Sequence, residues 1–147
     1  MVRILFICHG NICRSPMAEM VMKELIRKAK ADIFVDSAAT STEEIGNGIH
    51  RGTRKILTEK GIPFTEHTAR QMTKADYDRY DFLIGMDEWN RANMMRILKN
   101  DPEGKCRLLL DFCGGGEVAD PWYTGDFEAT YRDIDRGCRA LLAFLSE

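Results

Sequence analysis

Residues 2–8, Val-Arg-Ile-Leu-Phe-Ile-Cys, are rich in β-branched and aromatic side chains and almost continuously apolar. A strand of that kind must be covered on both faces, which places it inside a sheet and favours parallel neighbours joined through helices. Gly10 and Asn11 end the run, and Ser15-Pro16 then offers an N-cap and a proline at the first helical position. Ala18, Val21, Met22, Leu25 and Ala29 follow at helical spacing. The chain therefore opens as strand, tight loop, helix.

The same alternation continues. Ile33–Val35 reads as a second strand, and Arg51–Lys60 as a helix stopped by Gly61. Thr73 with Asp76 resembles a capping box before a short helix, and Phe82–Met86 reads as a third strand whose Asp87 caps the next helix. Trp89, Met94, Ile97 and Leu98 are expected to form that helix's inward stripe. Cys106–Leu110 reads as a fourth strand before Gly114-Gly115-Gly116, and a last helix starts near Phe127 with Tyr131, Ile134, Cys138, Leu141, Leu142 and Leu145 inward. Strands alternating with helices imply an open, mostly parallel α/β sheet helix-covered on both faces, with ligands outside the carboxyl ends of the strands.

A chain of 147 residues is about one domain's worth, so residues 1–147 are expected to form a single domain. With 21 Lys and Arg against 23 Asp and Glu, the net charge of −2 leaves no broad basic field for nucleic acid. Apolar runs such as Ile4–Cys8 fall far short of the roughly 18 residues of a membrane span, and the N-terminal stretch is too short for a signal-peptide core. A cytoplasmic location is the expectation. Five cysteines is an odd count, and the Cys8, Cys13 spacing is not that of a zinc ribbon, so they read as thiols, at least one reactive.

The loop Cys8-His9-Gly10-Asn11-Ile12-Cys13-Arg14-Ser15 sets a cysteine and an arginine six positions apart between strand and helix. Backbone N–H groups of such a loop, with the helix N-terminus behind it, form a cradle that fits a phosphate. Gly10 and Asn11 tolerate the positive φ such a curl needs, and Arg14 supplies a charged planar fork for two phosphate oxygens. Cys8 sits under the same positive field, which favours a nucleophilic thiolate. Ser15 can donate a hydrogen bond to that sulfur when it leaves. Asp120-Pro121, taken alone, is as readily a turn dipeptide as a catalytic acid.

Cys8–Pro16 resembles the signature of the low-molecular-weight protein tyrosine phosphatases, and Asp36–Thr40, His67–Gln71, Gly85–Glu88 and Asp120-Pro121 resemble that family's further blocks in its order. The resemblance implies a three-layer αβα fold around a four-stranded parallel sheet of flavodoxin-like order 2-1-3-4. It also implies hydrolysis of phosphotyrosine in proteins through a cysteinyl-phosphate, with inorganic phosphate as product and no metal or cofactor. On that pattern Cys8 is the nucleophile, and Arg14 and the amides of His9 to Ser15 hold phosphate. Asp120 is the general acid and then the base, while Asn11, Ser15, Ser37 and His67 brace the loop. Cys13 is the implied redox partner that shields Cys8, and a monomer is expected.

Substrate choice falls to the walls. Trp122 and Tyr123 resemble a pair that stacks on a phenyl ring, although two aromatics beside a proline are also common packing residues. Many family members carry an aromatic near Glu43, where this chain has Thr42-Glu43-Glu44, a change that disfavours acidic phosphopeptides. His9 is read as a solvated rim residue. Ile12 stands where arginine-phosphate phosphatases carry threonine, and it suits phosphotyrosine; arginine phosphatase is the enzymatic alternative. Arsenate reduction is a further alternative, set back because Cys106 and Cys113 flank the fourth strand rather than following the third. A silent phosphate-binding module is the non-enzymatic one.

Overall fold

The computed structural model describes residues 1–147. Its sheet contains β1 (Val2–Cys8), β2 (Ile33–Ala39), β3 (Phe82–Gly85) and β4 (Cys106–Leu108), in the order β2-β1-β3-β4 with every pair parallel. This is the expected order 2-1-3-4, and it leaves β1 between two neighbours as its unbroken apolar run requires.

The pleat of β1 sorts the core. Ile4, Phe6 and Cys8 point to one face, under α1 (Arg14–Ala29), α2 (Arg51–Glu59) and α6 (Phe127–Leu145). Leu5 and Ile7 point to the other, where Leu83, Tyr77, Tyr80, Met94 and Leu98 meet them from β3, α3 (Asp76–Arg79) and α4 (Glu88–Leu98). Ile4 to Ile7 are fully buried, and each such side chain contributes on the order of 1.5–3 kcal/mol through burial. Helix α6 lies close over the turn after β4: a Cβ on Gly137 would stand 2.5 Å from Leu109 Cγ, so only glycine permits the approach.

Several local expectations are corrected. Helix α1 begins at Arg14 with Cys13 as its N-cap, so Ser15 is not the cap. Its hydroxyl is turned toward Cys8, and Pro16 occupies the third helical position, where its missing N–H costs nothing. Strand β2 runs on to Ala39 because Asp36–Ala39 continue the ladder with Leu5–Cys8. Strand β4 is shorter than expected: Asp111 accepts from the Leu108 N–H at 2.9 Å and turns Leu109–Cys113 into a 3-10 segment. The buried stripe of α4 is Asn90, Met94 and Leu98, and Trp89 is 63% exposed. Asn90 takes the inward place because its Oδ1 accepts from the Met86 N–H at 2.9 Å.

The short helix α3 carries one half of the expected capping box, Asp76 Oδ2 accepting from the Thr73 N–H at 2.8 Å. Asp87 caps α4 as expected, accepting from the Asn90 N–H at 2.7 Å. A short helix not foreseen, α5 (Pro121–Thr124), follows Asp120. No helix is long and apolar enough to cross a membrane.

Candidate active site

The loop after β1 curls around the Cys8 sulfur. Asn11 takes a left-handed conformation (φ 60°), while Gly10 does not, which corrects the expectation that both would. At Gly10 a Cβ would lie 3.2 Å from Glu44 Cγ, a tight contact that the Glu44 side chain would have to relieve. Three donors converge on Cys8 Sγ: the N–H of Asn11 at 3.3 Å, the N–H of Ser15 at 3.4 Å and Ser15 Oγ at 3.0 Å. Donors so placed stabilise negative charge on sulfur. The N–H groups of Gly10, Ile12 and Cys13 donate to no protein acceptor, which is how an anion cradle differs from an ordinary turn.

A buried polar chain braces the curl. Asn11 Nδ2 donates to Ser15 Oγ (2.7 Å) and to Ser37 Oγ (3.0 Å), and Ser37 Oγ donates to Glu19 Oε1 (2.6 Å). Ser15 Oγ already accepts from Asn11, so its own proton is directed to Cys8. Asn11 Oδ1 accepts from His67 Nε2 (2.8 Å) and from the Arg70 N–H (3.3 Å), which sets the orientation of the amide. The segment carrying His67 and Arg70 is fixed to the end of β2: the Ala39 N–H donates to the Arg70 carbonyl, and the Met72 N–H to the Ala39 carbonyl. Arg70 is also gripped by buried Asp76 through both carboxylate oxygens.

Arg14 is 3% exposed, and its two terminal nitrogens have separate tasks. Nη1 donates to Asp87 Oδ2 (2.8 Å) and to the Val118 carbonyl (3.1 Å), while Nη2 donates to Asp120 Oδ2 (3.3 Å). Burial pulls the guanidinium pKa down, but Cys8, Asp87 and Asp120 together outweigh it and hold the group above its ordinary value. Asp120 caps α5, its other oxygen accepting from the Trp122 N–H at 3.0 Å. Cys13 behaves differently from a nucleophile. Burial first, then the neighbouring Cys8 and Asp120, push its thiol up to about 12.

Cys8, Arg14, Asp87 and Asp120 line one cavity of about 610 Å³. Its walls carry Ile12, Glu43, Trp122 and Tyr123, as expected, together with His9, Glu44 and Trp89. Trp122 and Tyr123 are 64% and 85% exposed, so neither is a core residue, and Trp122 keeps one edge-on contact with the His50 ring. His9 is not simply solvated, because its Nε2 lies 2.7 Å from Glu43 Oε2 across the rim. Cys106 and Cys113 lie outside the cavity, and all five cysteines are free thiols. Glu19, Asp36 and His67 hold their ligand atoms within 4.8 Å of one another, as a metal site would. Those atoms are already engaged with Ser37, Lys23, Tyr80 and Asn11.

The structure thus brings together every site residue that the sequence singled out. Glu19, Asp87 and Trp89 were not singled out as site residues. Glu19 follows Ser15 by four residues on α1, a spacing that puts both on one helix face. Asp87 was recognised only as a cap, a role its second oxygen exceeds.

The family model for low molecular weight phosphotyrosine protein phosphatases matches residues 3–147. The chain is 38% identical to the low molecular weight protein-tyrosine-phosphatase YfkJ of Bacillus subtilis, covering 100% of this chain and 97% of the relative. It is also 38% identical to the human low molecular weight phosphotyrosine protein phosphatase, over 95% of this chain and 92% of that one. The crystal structure of YfkJ superposes with a TM-score of 0.95 over 99% of this chain and 95% of that one. A low molecular weight protein tyrosine phosphatase from Streptococcus pyogenes superposes with 0.90 at 40% identity, over 99% of this chain and 93% of that one.

Proposed function

The chain belongs to the low molecular weight phosphotyrosine protein phosphatase family, and we propose that it hydrolyses phosphotyrosine in proteins through a covalent phosphocysteine on Cys8. The observation that carries this reading is the convergence, in one cavity, of a sulfur held by three donors, a buried guanidinium and a carboxylate on a helical cap. Residues 1–147 act in it as one catalytic unit.

Cys8 Sγ attacks phosphorus in line with the phenolic oxygen. The P–O bond breaks, its electron pair leaves on the phenolate, and Asp120 supplies the proton. The free loop amides and Arg14 carry the equatorial oxygens, where negative charge spreads in the transition state. Nη1 stays tied to Asp87 and Val118, so Arg14 keeps its place while Nη2 exchanges Asp120 for a phosphate oxygen. That exchange also frees Asp120 for proton transfer. Water then gives its proton to Asp120 and attacks phosphorus; the S–P bond breaks, Ser15 Oγ–H meets the charge returning to sulfur, and inorganic phosphate leaves.

Ile12 gives the ring an apolar contact, and Trp122 and Tyr123 give it faces to stack on. Cys13 lines the same cavity as Cys8, which supports its role as the thiol that closes a disulfide on a Cys8 sulfenic acid, with water leaving. Its raised pKa makes that closure slow.

The test is phosphate release from phosphotyrosine and phosphoarginine substrates without added metal. Phosphotyrosine turnover that vanishes in Cys8→Ser and falls roughly 10²–10⁴-fold in Asp120→Ala supports the reading. Preferential turnover of phosphoarginine would replace the substrate, and equal inactivity of all three proteins would leave a binding module.

A further inference from the structure

Trp89 is the largest exposed side chain of α4 and faces the mouth of the catalytic cavity, yet it packs against no other aromatic ring and meets no cation within the protein. Its backbone is held firmly. Asp87 fixes the first turn of α4 through the Asn90 N–H and is itself locked to Arg14, and Glu88 N–H donates to Glu117 Oε2 at 2.8 Å. An indole on that fixed backbone, two residues from the guanidinium's anchor, presents an open π-face to whatever stands beside a bound phosphotyrosine.

The cavity it lines holds more carboxylates than cations: Glu43, Glu44, Asp87 and Asp120 against Arg14. Glu88 precedes the tryptophan in the chain and holds Glu117 through its N–H. The nearby arginines are committed: Arg91 pairs with Glu88 and Asp111, and Arg14 with Asp87 and Asp120, while His9 lies against Glu43. An exposed tryptophan face at a carboxylate-rich cavity, where Glu44 and the nearby Glu117 pair with no cation, is a receptor for a cationic side chain. The wall formed by Thr42-Glu43-Glu44 has no aromatic, so Trp89 is the ring surface there beyond Trp122 and Tyr123.

We infer that Trp89 is a specificity-determining residue that seats an arginine or lysine neighbouring the phosphotyrosine, so that the preferred substrates are phosphotyrosyl segments with an adjacent basic residue. The inference rests on the phosphotyrosine reading of the same cavity and adds the identity of the flanking residue.

The experiment compares kcat/KM for two phosphotyrosyl peptides identical except for arginine or norleucine beside the phosphotyrosine, at about 0.15 M ionic strength, where distant charges are largely screened. Wild type is expected to favour the arginine peptide. Trp89→Ala is expected to shrink that preference roughly two- to fivefold, the worth of an exposed cation–π contact, with the change in KM rather than kcat. Trp89→Phe is expected to keep most of it. A preference equal in wild type and Trp89→Ala, or absent from wild type, overturns this inference while leaving the phosphatase reading intact. Failure of wild type to hydrolyse either peptide removes both.

Discussion

Asn11 is where backbone and side chain are both committed to the cradle, and replacing it separates the two contributions. Its φ of 60° costs an alanine about 1 kcal/mol more than it costs asparagine or glycine. Its side chain holds four partners, but Ser15 and Ser37 keep others, in Cys8 and Glu19. The Arg70 N–H loses its sole acceptor, and His67 Nε2 keeps only Ser37 at 3.4 Å. Two half-buried donors left short cost about 1–2 kcal/mol each, toward the lower half of the usual range. Asn11→Ala should therefore destabilise by about 3–5 kcal/mol, and Asn11→Gly by about 1 kcal/mol less. Urea unfolding reads both, provided the slope with denaturant stays constant. Activity should fall further than stability, because the loop amides lose their aim, and Asn11→Gly should not recover it. An Asn11→Ala protein within 1 kcal/mol of wild type, or glycine and alanine variants of equal stability, would refute this partition.

Asp87→Ala should lower kcat/KM roughly 10- to 100-fold, the worth of one charged hydrogen bond to Arg14, while Asp87→Asn keeps the cap of α4 and loses less stability; steady-state kinetics and thermal melts separate the two. Cys13 gives a pH dependence of fixed sign. The unfolded thiol releases its proton near 9 and the folded one holds it to about 12, so its contribution is complete below pH 9 and is lost as pH rises from 9 toward 12. Cys13→Ala should flatten that alkaline decline in a stability-against-pH series. Gly137→Ala forces a Cβ against Leu109 and should cost about 1–3 kcal/mol by denaturant unfolding, without altering KM.

How much was readable beforehand follows from the range of each interaction. The β1 run, the helix periods and the Gly61 stop are local patterns, and they led to the alternating strands and helices and the parallel sheet, while the strand order came from the family resemblance. Ser15 was given two roles, and the cap failed because Ser-Pro is only locally a helix start, while the hydrogen bond to Cys8 was legible from the loop chemistry. Trp89 was read as inward because it was set in one stripe with Met94, Ile97 and Leu98. Only the fold shows that Asn90 fills the inward place by binding the Met86 N–H. Glu19 and the second role of Asp87 depend on partners 18 and 73 residues distant, which no spacing rule along the chain contains.

The central claim is a phosphoryl group carried by Cys8, and it is met most directly by acid quench of Asp120→Ala during turnover of an aryl phosphate whose phenol leaves without protonation. In that protein the first step still proceeds and the second, which needs Asp120 as base, is slowed, so the intermediate accumulates. Mass spectrometry should find one phosphoryl group on the peptide containing Cys8, lost in Cys8→Ser. A phosphoryl group on any other residue, or release of phosphate by Cys8→Ser at the wild-type rate, would contradict the account.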